Sequence, residues 1–438
     1  MSIPLSTDPA ADLGEAKRLL ADDDIANAWN HLQRVLTFPG AIPTASDAFQ
    51  ESIQLLATLG EVFAGEDFKE KALEVANGNP VASPEGLYDL GFEMVGVRQY
   101  GVAATLLARS FDADANEDTL VELIVALERE GNFPAALWYL HENPAIVNKN
   151  FVCVYQKAWL GIQVGDLKSA FESAEWLQKT CQDMGHERYV SMAKRVGVVT
   201  QRAKLLEGVS DLGPLDLRGW QYVLNGGLLL HISPYGTEVM NGRYCYVKDS
   251  VAVCLEAAKK IQAITQQQGI TVPQVFVLPD PKSALLAQTL AQVLDCPFKP
   301  WEKDCKEPGI LAVYDMEQLE EKVFYTLYER GHPQQFLWAH AVCWTSPEPC
   351  VPAADFVTFL HQVNASPWDA GVDIPGVDFE TADPAKLVEE ILGAELNVDE
   401  GDLKNLLSVA QAVKLGEDVE EQRGHQWPGS PVRSSRFA

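Results

Sequence analysis

Apolar residues in the first half of the chain recur at helical spacing: Leu87, Leu90, Gly91 and Met94 form one stripe, and Ala103 and Leu107 the facing one. The order returns as Leu120, Leu123, Ile124 and Leu127 before Ala136 and Leu140, and again as Val154, Ala158 and Gly161 before Ala170 and Ala174. Between the stripes lie Gln99-Tyr100-Gly101-Val102-Ala103, Asn132-Phe133-Pro134-Ala135-Ala136 and Asp166-Leu167-Lys168-Ser169-Ala170, spaced 33 and then 34 residues apart. A period of that length predicts a stack of helix hairpins, with a small residue wherever two helices cross closely. Two related pairs are predicted at 10–38, with Ala28 as the small contact, and at 45–77; a further amphipathic helix at 187–206 would cap the array.

The texture changes after Leu206, where Gly208-Val209-Ser210-Asp211-Leu212-Gly213-Pro214 interrupts the helices. Beyond it, β-rich runs at 227–233, 274–279, 310–314 and 336–342 alternate with helical stretches at 250–268, 283–294, 317–330 and 353–362. Such alternation predicts a doubly wound, mainly parallel α/β domain with helices on both faces of the sheet. The expected division is a helical repeat domain at 1–206, an α/β domain at 214–396, a C-terminal helix at 397–416 and a flexible tail at 417–438. Trp220 and Trp338 are expected in the core, and Gly226-Gly227 in a turn entering the first strand.

The first-half pattern resembles the tetratricopeptide repeat, whose signature runs Trp-x2-Leu-Gly-x2-Tyr, then Ala-x3-Phe, then Pro. Gly91 matches its small residue, whereas Ile124 and Lys157 depart from it, and Ala115 and Asn148 stand where proline closes the repeat. The likeness is to degenerate members. It implies an α-helical solenoid whose first helices line a concave face, here Tyr88 and Phe92, Val121 and Val125, Tyr155 and Trp159. Family members that clamp a peptide carboxylate use lysine and asparagine in that groove; this chain offers Asp89, Glu122 and Gln156. An apolar or basic protein segment is therefore the expected partner, with the alternative that the strip is core or packs on the rest of the chain.

Charge narrows the partners further. The 438 residues are 47% hydrophobic and carry a formal charge of -28, enough apolar mass for substantial cores and a field that repels nucleic acid and anionic membranes. The start of the chain carries Asp8, Asp12 and Glu15 without a signal-type apolar run, and no stretch approaches the roughly twenty apolar residues of a membrane span. Eight cysteines without a Cys-x-x-Cys pair read as reduced, mostly buried thiols in a cytoplasm; a bacterial protein is expected. Cys296 with Cys305, or Cys343 with Cys350, form an alternative pair or ligand set; no cofactor or resident metal is expected. Asp369, Asp373 and Asp378 lack the spacing and closing glutamate of a calcium loop.

Ligands of parallel sheets collect beyond the carboxyl ends of the strands. That rule singles out Ser233 with His231 and Tyr235; Asp280, Lys282 and Ser283; Asp315 with Glu317; and His340 with Cys343 and Trp344. Ser283 is placed to cap a helix whose free amides, with Lys282, would hold an anion, although Pro281 removes one amide. The order Val275-Phe276-Val277-Leu278, Pro279-Asp280-Pro281-Lys282, an alanine- and leucine-rich helix, then Asp295-Cys296-Pro297-Phe298 resembles part of the type I phosphoribosyltransferases. Ile310-Leu311-Ala312-Val313-Tyr314-Asp315 resembles that family's strand before the ribose-phosphate loop. The family continues with two acidic residues and Thr-Gly-x-Thr, whereas Met316-Glu317-Gln318-Leu319-Glu320-Glu321 follows here. His231 and His340 read as core side chains, and no nucleophile elbow surrounds Ser233. The expected function is a non-catalytic scaffold or adaptor that binds a protein or peptide through the concave strip. The alternatives are a nucleotide- or phosphosugar-binding protein or enzyme using Ser233, Asp280, Lys282, Ser283 and Asp315, and self-assembly through the array or tail; the sequence leaves the oligomeric state open.

Overall fold

A computed structural model describes residues 5–44, 46–78, 83–235, 240–302, 305–330, 332, 334–345, 352–371, 375–413, 415, 427 and 430–434. The chain divides into two compact units, with the boundary between Ala193 and Lys194. In the first unit the helices are α1 Pro9–Ala21, α2 Ile25–Leu36, α3 Asp47–Ala64, α4 Glu66–Asn77, α5 Pro84–Gly96, α6 Tyr100–Ala113, α7 Glu117–Arg129, α8 Phe133–Glu142, α9 Pro144–Val147, α10 Phe151–Val164 and α11 Leu167–Met184. The boundary lies within α12, Glu187–Leu205.

Helices pair along the chain, α1 with α2, α3 with α4, α5 with α6, α7 with α8 and α10 with α11, and α5, α7 and α10 touch in succession. The recurring phrases are where the second helices begin. Asn132 and Asp166 accept hydrogen bonds from the amides of Ala135 and Ser169, the cap these short polar side chains supply to a helix start. Small residues sit at the crossings: a Cβ on Gly91 would lie 2.6 Å from Leu107 Cγ, and one on Gly161 would lie 3.0 Å from the Asp166 carbonyl oxygen. Ala103, Ala136 and Ala170 are fully buried.

The second unit contains α13 Leu217–Asn225, β1 Leu228–Leu229, β2 Tyr244–Lys248, α14 Val251–Gln267, β3 Val275–Val277, α15 Pro281–Leu294, β4 Phe298–Pro300, β5 Gly309–Asp315, α16 Glu321–Thr326, β6 Gln335–Cys343, β7 Phe356–Ala365, α17 Pro384–Leu392 and α18 Glu400–Ala412. All strand pairings among the described residues are parallel. The order is β1-β7-β6-β5-β3-β4, and β2 also pairs with β7. β1 aligns with Phe356 and Val357 and β2 with His361 to Ala365, so two short strands share one side of β7. From β3 the chain moves outward to β4, and from β5 it moves the other way to β6. β3 and β5 therefore flank the topological switch point, where sheets of this type hold ligands. The layer formed by α14, α15, α17 and α18 packs on the sheet, and Trp220 and Trp338 are fully buried.

Two expected helices need correction. The stretch 353–362, expected as a helix, carries β7. Its residues Phe356 to His361 are all buried, so both faces are covered without alternation, and periodicity cannot tell such a strand from a helix. β2 has no counterpart among the expected runs, and the helix expected at 317–330 breaks into α16 between two 3-10 turns. For the tail, docking on the body is the alternative to flexibility, and its described residues are hydrogen-bonded to the second unit. Arg243, 3% exposed, donates to Ser430 Oγ at 3.0 Å and to the Val432 carbonyl at 2.7 Å, and Trp427 exchanges hydrogen bonds with Asn225. A buried guanidinium needs such acceptors. The rest of 417–438, with Cys350 and Asp373, lies outside the described residues.

Cys153, Cys181, Cys245, Cys254, Cys296, Cys305 and Cys343 are free thiols, so Cys296 and Cys305 do not pair. No helix among the described residues is long and apolar enough to cross a membrane.

Candidate functional site

The residues expected on the concave strip divide at α10. On α5, Tyr88 and Phe92 stack with ring centroids 6.2 Å apart and 24° between planes, as i,i+4 neighbours do, and Phe92 is 51% exposed. Val121 and Val125 are half-buried on the adjoining α7. Burial, reinforced by Asp118, lifts the Glu122 carboxyl above its usual range; burial, with Glu122 and Asp118, lifts the Tyr88 phenol. On α10 the strip closes. Trp159 is 4% exposed, Gln156 is buried and Tyr155 half-buried. α10 is buried from Ala158 through Gln163 without a break, which makes it a core helix with no open face there; Trp159 and Gln156 are core side chains.

At the switch point, Asp280, Lys282, Ser283 and Asp315 come together and are held by one another and their neighbours. Asp280 caps α15 by accepting the Ser283 amide at 2.7 Å, and Ser283 Oγ accepts the Tyr314 amide at 2.9 Å. Lys282 donates to Asp369 at 2.7 Å and to Gln318 at 3.4 Å. Asp315 accepts from the Glu317 amide, Gln318 and Asn364. Burial would raise Asp369, but the bonds from Lys282 and Ser366 outweigh it and hold the carboxyl below its usual range. An amide available to an anion at this helix start is thus taken by Asp280, and the nearby cation by Asp369. Ser233 lies apart from this group: it is buried, its amide bonded to the Gly242 carbonyl and its hydroxyl accepting from the Tyr235 amide. His231 meets the Tyr244 hydroxyl at 2.8 Å and stacks on that ring.

The tightest polar cluster lies inside the sheet. The register sets Tyr314, His340 and Thr358 in one row across β5, β6 and β7, between the pairs Val313–Ala339 and Asp315–Ala341 on one side and Ala339–Val357 and Ala341–Phe359 on the other. Asp249 follows β2, and Cys254 lies in the first turns of α14, whose start is capped by Ser250. Asp249 Oδ2 stands 2.8 Å from His340 Nε2, 2.7 Å from Tyr314 Oη and 3.7 Å from Cys254 Sγ. Cys254 Sγ is 3.7 Å from the same Nε2. His340 Nδ1 meets Thr358 Oγ1 at 3.1 Å, and Thr358 accepts from Trp338 Nε1 at 2.8 Å. Burial, then the Asp249 charge, lifts the Cys254 thiol and the Tyr314 phenol far above their usual ranges.

This geometry is not a nucleophilic relay. A Cys-His-Asp relay places thiol and carboxylate on opposite ring nitrogens, whereas Cys254 and Asp249 meet the same one. Cys343 does not serve His340 either: three positions along β6 put it on the other face, with its sulfur against Thr345 and the Gln362 carbonyl. Asp249 and Cys254 are the residues sequence reasoning missed. The available signal was the run Tyr244-Cys245-Tyr246-Val247-Lys248 leading into Asp249-Ser250, a strand-to-helix turn of the type that carries polar sites in parallel sheets.

No protein-family model matches the chain, and no curated protein or solved structure matches it.

Proposed function

We propose that the protein is a non-catalytic, cytoplasmic adaptor in which a tetratricopeptide-like array, joined to an α/β unit, holds an apolar and basic segment of a partner protein along α5 and α7. The observation that carries this reading is the Tyr88–Phe92 stack, with Phe92 half open to solvent beside an acidic neighbourhood. A stacked aromatic pair is a preorganised apolar surface, and aromatic anchors supply much of the energy of interfaces. Asp89, Asp118 and Glu122 on the same helices favour lysine and arginine and repel a peptide carboxylate. The net charge of -28 adds steering of basic segments at long range, and the free thiols support a reducing compartment.

A display screen of short peptides against the full chain tests this. Enriched sequences should combine Lys or Arg with Leu, Phe or Trp, and Phe92→Ala should weaken a selected peptide about tenfold, roughly 1.4 kcal/mol, with an unchanged helical signal. Enrichment of acidic peptides, or affinity indifferent to both Phe92→Ala and Tyr88→Ala, would sink the reading.

A second reading, a nucleotide or sugar phosphate held at the carboxyl ends of β3 and β5, has the switch-point position in its favour. Against it stands the mutual engagement of Lys282 and Asp369. A ligand of this class would raise the melting temperature of the wild type and not of Lys282→Ala.

A further inference from the structure

We propose that Asp249, Cys254 and His340 form a site for one divalent cation of the zinc class, which ties the end of β2, the start of α14 and the middle of β6 at one point. Their ligand atoms, Oδ2, Sγ and Nε2, are separated by 2.8 Å between oxygen and nitrogen and by 3.7 Å from sulfur to each of the other two. A tetrahedral zinc, with bonds of about 2.3 Å to sulfur and about 2.0 Å to nitrogen and oxygen, sets sulfur about 3.5 Å from each of the other two and sets nitrogen and oxygen about 3.3 Å apart. Both sulfur separations already fit. The oxygen–nitrogen separation has to open by about half an ångström.

The far end of each polar ligand is pinned. Asp249 Oδ1 accepts the Ser250 amide at 2.7 Å, and His340 Nδ1 is held by Thr358, itself held by Trp338. Outer partners of this type fix the orientation and tautomer of metal ligands. Binding releases the Cys254 thiol proton to solvent and requires His340 Nε2 free of hydrogen, with the ring hydrogen on Nδ1 facing Thr358 Oγ1.

Charge points the same way. The Asp249 carboxylate, 4% exposed, faces the Tyr314 hydroxyl, the Cys254 thiol, the Ser250 amide and the His340 ring. A divalent cation bound to one carboxylate and one thiolate makes a neutral unit, which a buried site tolerates far better than a lone ion. Thiolate and imidazole select zinc or cobalt over calcium or magnesium. Tyr314 Oη donates to the same carboxylate oxygen at 2.7 Å, a further outer partner that orients it. With Cys254 and His340 at zero exposure and Tyr314 at 1%, the site is closed, as structural zinc sites are.

The test uses the full chain, stripped with a chelator in mild denaturant and refolded with Co2+. About one equivalent of cobalt per chain, a sulfur-to-cobalt charge-transfer band, and a higher melting temperature on exchange with Zn2+ are the expected results. Cys254→Ser should lose the band, and Cys153→Ser, a buried thiol of the helical unit, should keep it. The competing state is a metal-free His340–Asp249 pair: a wild type that takes up no cobalt, or binds it without the band, overturns the proposal. So does a band that persists in Cys254→Ser. If that variant does not fold, stoichiometry and spectrum of the wild type decide.

Discussion

At Gly227 a single hydrogen stands where any other side chain would collide: a Cβ would come within 1.9 Å of the Ala354 carbonyl oxygen. Backbone cannot swing aside as a side chain can, so Gly227→Ala should cost about 3 kcal/mol, the upper end of overpacking, read as a lower denaturant midpoint. Gly14, in the exposed face of α1 with nothing within 4 Å, should respond oppositely, with Ala gaining about 0.5–1 kcal/mol. Residue type announces some of these roles. Gly226-Gly227 reads as a turn into a strand from sequence, and Gly226 does have a φ of 74°. Asp249 follows a run that reads as a strand end, but its meeting with Cys254 and His340 depends on strands and a helix distant along the chain. For Trp159 the sequence leaves groove and core both open for a related reason: stripe arithmetic picks out one face of a helix and is silent on whether the opposite face is also covered.

α18 shows what holds an element in place. Asp402 accepts Arg218 at 2.7 Å and Lys260 at 3.1 Å, while Arg218 also reaches the Leu229 carbonyl and Lys260 the Leu230 carbonyl. Asp402→Ala removes that carboxylate from buried Arg218 and leaves Lys260 with Glu256; it should cost about 3 kcal/mol, with faster hydrogen exchange confined to α18. Burial would raise Asp402 and Glu256, but Arg218 and Lys260 for the first, and His231 and Lys260 for the second, pull both below the usual carboxylate range. Stability from lowered carboxylates is complete above their unfolded values and is lost as pH falls through the folded ones. Exchange in α18 should therefore accelerate below about pH 4, ahead of the sheet; uniform acceleration would show that the clasp is not the acid-labile element. Helices with one polar face, such as α5, α7 and α18, were legible from spacing. β7 was not, since a strand buried on both sides carries no alternating signature, and β2 was hidden by its half-exposed, mixed residues.

For the whole molecule, sequence texture distinguishes the helical first half from the strand-bearing second half, because the period of apolar positions changes from one to the other. Charge of -28 acts on everything at once. Raising salt from about 0.01 M to about 1 M shortens the screening length from about 30 Å to about 3 Å, which should relieve self-repulsion and raise the melting temperature by several degrees while weakening capture of a basic peptide. If both quantities moved together, charge would not be steering the partner. The sheet's two margins carry a different consequence. One is split between β1, of two residues, and β2, of five; the other is β4, of three residues ending in Pro300, which has no amide hydrogen to donate. Among the described residues a foreign strand seeking a template meets short, interrupted lengths of hydrogen-bonding ladder, the arrangement that discourages edge-to-edge pairing of sheets.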